Sequence, residues 1–131
     1  MKLFELNLNW ADRDNANRPT NFDSDNLVML RVNIEDVIKH MHSEFKLDLG
    51  DELGGKNSIG DRLPRAKEHF KAGGAMDLPE IGYSKWSKTI DFGNVRHRTV
   101  AAHQLGKKYI PMFVSIDGID EFKKLVRTEP M

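Results

Sequence analysis

The chain has 131 residues, of which 39% are hydrophobic and 31% charged, a mixture typical of one domain with its own core. Its 20 basic and 20 acidic residues cancel, which excludes a surface that attracts nucleic acid everywhere, so any anion site must be local. Cysteine is absent, which excludes disulfides, thiol nucleophiles and cysteine metal sites. No apolar run reaches membrane-spanning length, and we expect a cytoplasmic protein without a membrane partner.

The first 26 residues are predicted to form a strand and a polar loop that precede the main domain. Alternation of apolar and polar residues predicts the strand over 3–10, and residues rich in Asp, Asn and Arg follow it. The main domain, 27–131, begins with an apolar run at 27–32 that predicts a buried strand.

Two helices are predicted next. Asn33 can cap the first, with Asp36 three residues on as in a capping box, and apolar residues at helical spacing continue to Phe45. Asp61 can cap the second helix, which ends at Gly73-Gly74. Residues 48–60 contain four glycines and nearly spell a phosphate-binding loop, but the Ser or Thr that would bind magnesium is missing. We interpret this segment as a flexible glycine loop.

The second half of the domain alternates strands and helices. Strands over 81–84 and 88–92 are predicted to pair as a hairpin around Trp86, which could stack a nucleobase, although aromatic hairpin residues more often pack. A helix over 98–105, a strand over 110–114 and a last helix capped by Asp117 follow. The fold class is therefore α+β, with a small mixed sheet and three or four helices.

The turn between the hairpin and the helix 98–105 is the main candidate site. Glycine and asparagine tolerate a positive φ, and the first turn of a helix carries N–H groups without intrahelical acceptors. Basic residues at a helix N-terminus are unfavourable by themselves, and a bound anion would relieve that conflict. The sequence therefore predicts a phosphate site formed by Gly93, Asn94, Arg96, His97, Arg98 and Thr99. The alternative is an ordinary turn whose arginines pair with carboxylates such as Asp91.

The same segment resembles a known signature. Its residues Ile90–Gly93, Arg96–Arg98, Ala101-Ala102, Leu105-Gly106 and Ile110-Pro111 are similar to the signature of the ParB/sulfiredoxin superfamily. That resemblance implies a ParB/sulfiredoxin-like domain over 27–131 whose turn binds nucleotide or DNA phosphates, with CTP or ATP and Mg²⁺ as its ligands. Arg98 matches the arginine that closes the superfamily's turn. The sulfiredoxin reaction itself is excluded, because it needs a cysteine.

Activity and partners remain open at this point. The resemblance implies weak NTPase or DNase activity, for which Asp91 beside the turn is the first candidate carboxylate, acting with Arg98; Glu80 and Asp77 are the second. No metal site of the protein's own is predicted. The alternative function is that of a non-catalytic phage or plasmid accessory protein that binds a host protein partner.

Overall fold

The computed structural model describes residues 26–43, 45–74, 77–92 and 96–130. Within them the chain forms five strands and four helices, which confirms the α+β class. In chain order these elements are β1 (Leu27–Asn33), α1 (Ile34–Lys39), α2 (Arg62–Lys71), β2 (Glu80–Ser84), β3 (Thr89–Phe92), α3 (Arg96–Gln104), β4 (Tyr109–Ser115), α4 (Ile119–Leu125) and β5 (Thr128–Glu129). The strand predicted over 3–10 lies outside the described residues.

The strands form one mixed sheet in the order β3-β2-β4-β1-β5. The pair β2–β4 is parallel, and the other neighbours are antiparallel. Parallel neighbours need a crossover connection, and here β3 and α3 supply it. The sequence predicts the hairpin β2–β3, and the structure confirms it. Strand β5 has two residues, too few to give a sequence signal, and it was not predicted.

The core lies between one face of the sheet and the helices. Alternate residues of the strands point into it, in the order that a period of two requires. In α3, Val100, Ala101 and Ala102 are all fully buried, and the small alanine side chains let this helix approach its neighbours closely. The side chains of this main core cluster include Val32, Val37, Leu63, Phe70, Ile81, Ile90, Val100, Ile110, Met112, Val114 and Phe122.

Helix α1 is shorter than its apolar spacing predicts. It ends at Lys39, because the chain beyond it pairs with β3: Met41 forms a parallel bridge with Ile90, whose N–H donates to the His40 carbonyl at 2.9 Å. The prediction that this helix continues to Phe45 is therefore wrong. Backbone pairing with a distant strand overrides the local helical pattern.

The capping predictions are partly confirmed. Asn33 caps α1, and its Oδ1 accepts from the Asp36 N–H at 3.0 Å. Asp61 holds the N-cap position of α2, but its side chain makes no capping hydrogen bond and pairs with Arg65 at 2.9 Å instead. Asp117 is not the cap of α4. That position belongs to Gly118, whose φ of 74° is one that side chains rarely adopt.

Candidate phosphate-binding site

The first turn of α3 contains the predicted basic cluster, and its three side chains differ in what they contact. Arg98 has 40% of its side chain exposed. Its Nη1 lies 3.9 Å from Oδ2 of Asp77, in the segment that leads into β2. A separation of this length between partly exposed groups is a weak pair, so a phosphate could take the place of Asp77 at the guanidinium.

Arg96 is turned toward the glycine loop. Its Nη1 donates to the Phe45 carbonyl at 2.5 Å, and its Nη2 donates to the Asn57 carbonyl at 3.1 Å. Burial, and then the positive charge of Arg62, lowers the pKa of Arg96. Arg96 therefore fixes the loop through two carbonyls and brings a positive charge to the first turn of α3.

His97 contributes no charge at neutral pH. Its side chain is buried, with the whole residue 7% exposed, and its Nε2 accepts from the Ile59 N–H at 3.1 Å. An acceptor at Nε2 places the ring proton on Nδ1. Burial, and then the charges of Arg96 and Arg62, lowers the pKa of His97 to about 4. The Nε2 of His97 is therefore engaged by the loop backbone, and the positive charge of the first turn comes from the arginines.

Gln104, in the last turn of α3, holds the same loop at a further point. Its Nε2 donates to the carbonyls of Leu49 at 3.1 Å and Asp51 at 2.7 Å. Together with the bonds from Arg96 and His97, this anchors residues 45–59 along the length of the helix. The interpretation of 48–60 as a flexible loop missed this anchorage, for which the sequence carries no signal.

The predicted carboxylates are not equally placed. Asp91 is exposed on β3 and accepts a hydrogen bond from Thr89 Oγ1 at 3.4 Å. Its neighbour Ile90 points into the core that contains α3, so Asp91 lies on the opposite face of the sheet. Asp77 is the carboxylate that the fold brings to Arg98, whereas Asp91 is not brought there.

The remaining predicted residues divide into two groups. Thr99 and Glu80 are fully buried, so their side chains belong to the interior. Gly93 and Asn94 lie outside the described residues. A metal-binding group of three His, Cys, Asp or Glu residues is absent from the described ranges, and within those ranges no helix has the length and apolarity to cross a membrane.

Two aromatic side chains, Trp86 and Phe45, are more exposed than the sequence predicts. Trp86, at the tip of the β2–β3 hairpin, is 99% exposed, so the packing interpretation of this residue is wrong. Phe45, predicted on the buried side of a helix, lies in the loop and is 54% exposed. Sequence spacing could not find either, because exposure depends on neighbours that are remote in the chain.

Comparison with known proteins finds no matching family model, no matching curated protein and no matching solved structure.

Proposed function

We propose that this chain is a small ParB/sulfiredoxin-like protein that binds a phosphate-bearing ligand at the first turn of α3. The ligand is a nucleoside triphosphate or the backbone of a nucleic acid. The observation that supports this most is an excess of positive charge at a helix N-terminus. Arg96 and Arg98 lie in that turn, the charge of Arg62 acts on Arg96 and His97, and Asp77 is the one carboxylate of the described ranges that pairs with any of the three arginines.

The energetics favour an anion at this place. The N-terminal end of a helix carries about half a positive charge, so the guanidinium groups of Arg96 and Arg98 in the first turn raise the local potential further. Such a site attracts a multiply charged phosphate by the helix N–H groups and by arginine donors together. Arg98 is the residue that contacts the ligand, because Arg96 spends two of its donors on loop carbonyls.

Mg²⁺ would reach this site as the counter-ion of nucleotide phosphates. The described residues offer no metal cluster of their own, whereas arginines at a helix start fit a polyphosphate. Turnover is not part of the proposed function, because Asp91 lies on the far face of the sheet from α3, Glu80 is fully buried and Asp77 pairs with Arg98 itself. Asp77 lies beside Arg98, and its negative charge repels phosphate and lowers the affinity of the site.

Titration calorimetry with ATP, CTP and short DNA tests this function. A hydrogen bond to a charged group is worth about 1.5–3 kcal/mol, so Arg98→Ala should weaken binding by about 10- to 100-fold. Arg65→Ala is the matched control, because it removes the same charge from an exposed position where Arg65 pairs with Asp61. We expect Arg65→Ala to change the affinity less than about threefold. Absence of binding to all three ligands would overturn the proposal.

A protein-binding function is the second candidate, and Trp86 favours it. A fully exposed tryptophan is costly in water and is the residue type most enriched at interaction hot spots. If this function is the right one, a partner captured with the wild type should be lost with Trp86→Ala and kept with Arg98→Ala. The opposite pattern would favour the phosphate site.

A further inference from the structure

The first turn of α3 fixes the backbone of two exposed apolar residues. The carbonyl of Phe45 accepts from Arg96, and the N–H of Ile59 donates to His97, the next residue along the helix. Phe45 is 54% exposed and Ile59 48% exposed. Consecutive residues of the candidate phosphate site therefore each hold the backbone of an exposed apolar residue.

The ring of Phe45 is also oriented by its neighbours. The guanidinium of Arg96 lies 5.9 Å from the ring centroid, and the His42 ring lies at 6.1 Å with a tilt of 54°. The N–H of Phe45 donates to the His42 carbonyl at 2.9 Å. A ring that is held at its backbone and contacted by two neighbours, yet remains 54% exposed, has less conformational freedom to lose when a ligand stacks on it.

We propose that Phe45 is the surface on which a nucleobase stacks while its phosphates occupy the first turn of α3. This inference rests on the proposed function and deepens it, because it makes the ligand a nucleotide unit rather than inorganic phosphate. The guanidinium of Arg96 beside the ring matches a ligand that joins an aromatic body to a polyphosphate. Stacking of a base on an aromatic side chain is sequence-tolerant, so ATP and CTP both bind.

The experiment compares ATP and CTP with inorganic tripolyphosphate, each with Mg²⁺, by titration calorimetry. The wild type should bind either nucleotide about 5- to 100-fold more tightly than tripolyphosphate, the range that base stacking supplies. Phe45→Ala should remove that preference and leave the tripolyphosphate affinity unchanged. Phe45→Leu, which keeps an apolar side chain without a π-face, should lose most of it.

Leu53→Ala is the matched control. Leu53 is 53% exposed in the same loop, but its N–H bonds to Asp51 rather than to α3, so the nucleotide preference should persist. The fold of Phe45→Ala is checked by circular dichroism; Arg96 bonds the carbonyl of residue 45, which the substitution retains.

Failure of the inference and failure of the proposed function give different results. Equal affinity of the wild type for nucleotides and tripolyphosphate overturns the role of Phe45 and leaves the phosphate site intact. A nucleotide preference that survives Phe45→Ala does the same. Absence of binding to every ligand overturns both.

Discussion

The contact between His97 and Ile59 makes the stability of the fold depend on pH. Burial, with the charges of Arg96 and Arg62, holds the pKa of His97 at about 4, against 6.5 for an ordinary histidine. Between these values the unfolded chain binds a proton that the native state does not, so the stability is complete above pH 6.5 and falls as the pH drops toward 4. One pH unit of separation corresponds to about 1.4 kcal/mol, so the loss amounts to about 2–3 kcal/mol by pH 4.

Urea unfolding at a series of pH values from 7.5 to 4 measures this loss. His97→Gln is the informative variant, because its Oε1 can accept from the Ile59 N–H and does not titrate. We expect the variant to lose about 2–3 kcal/mol less than the wild type across this range. His69→Gln, at an exposed position of α2, should keep the wild-type slope. If the wild type and His97→Gln lose the same free energy, His97 is not the buried neutral group described here.

Three further outcomes are expected from other contacts. Asp36 accepts from the backbone N–H, Nε and Nη2 of Arg127 at 2.9, 2.8 and 3.1 Å, so Asp36→Asn should cost about 1–3 kcal/mol in urea unfolding at pH 7. An unchanged midpoint would contradict the importance of this bridge. Gln104→Ala should speed amide hydrogen exchange across 49–54, as followed by mass spectrometry, while exchange in the sheet stays slow. Trp86→Ala should change the unfolding free energy by less than about 0.5 kcal/mol, and a larger loss would show that the side chain packs.

The fold class could be predicted from the sequence because it depends on local periodicity. Leu27–Asn33 and Tyr109–Ser115 are short apolar runs, and Arg62–Lys71 has buried residues at helical spacing. These patterns survive in the structure. Where the prediction was wrong, at the end of α1, the physical reason is a backbone pairing of Met41 with Ile90.

The candidate site could be predicted from the sequence only in part. The sequence shows which residues carry a guanidinium or an imidazole, and the helix that contains them was predicted from its start near Arg98. It does not show that the carbonyl of Phe45, far away in the chain, lies within reach of Arg96. Local alternation of apolar and polar residues also does not show which carboxylate pairs with Arg98. The packing of α3 on one face of the sheet brings Asp77, and not Asp91, to this arginine.

A crystal structure of the protein soaked with ATP and Mg²⁺ tests the central claim most directly. We expect phosphate oxygens within about 2.7–3.2 Å of the Arg98 guanidinium and of backbone N–H groups in the first turn of α3. In the same crystal Arg98 should have left Asp77. Nucleotide bound elsewhere on the molecule, with Arg98 still paired to Asp77, would contradict the claim.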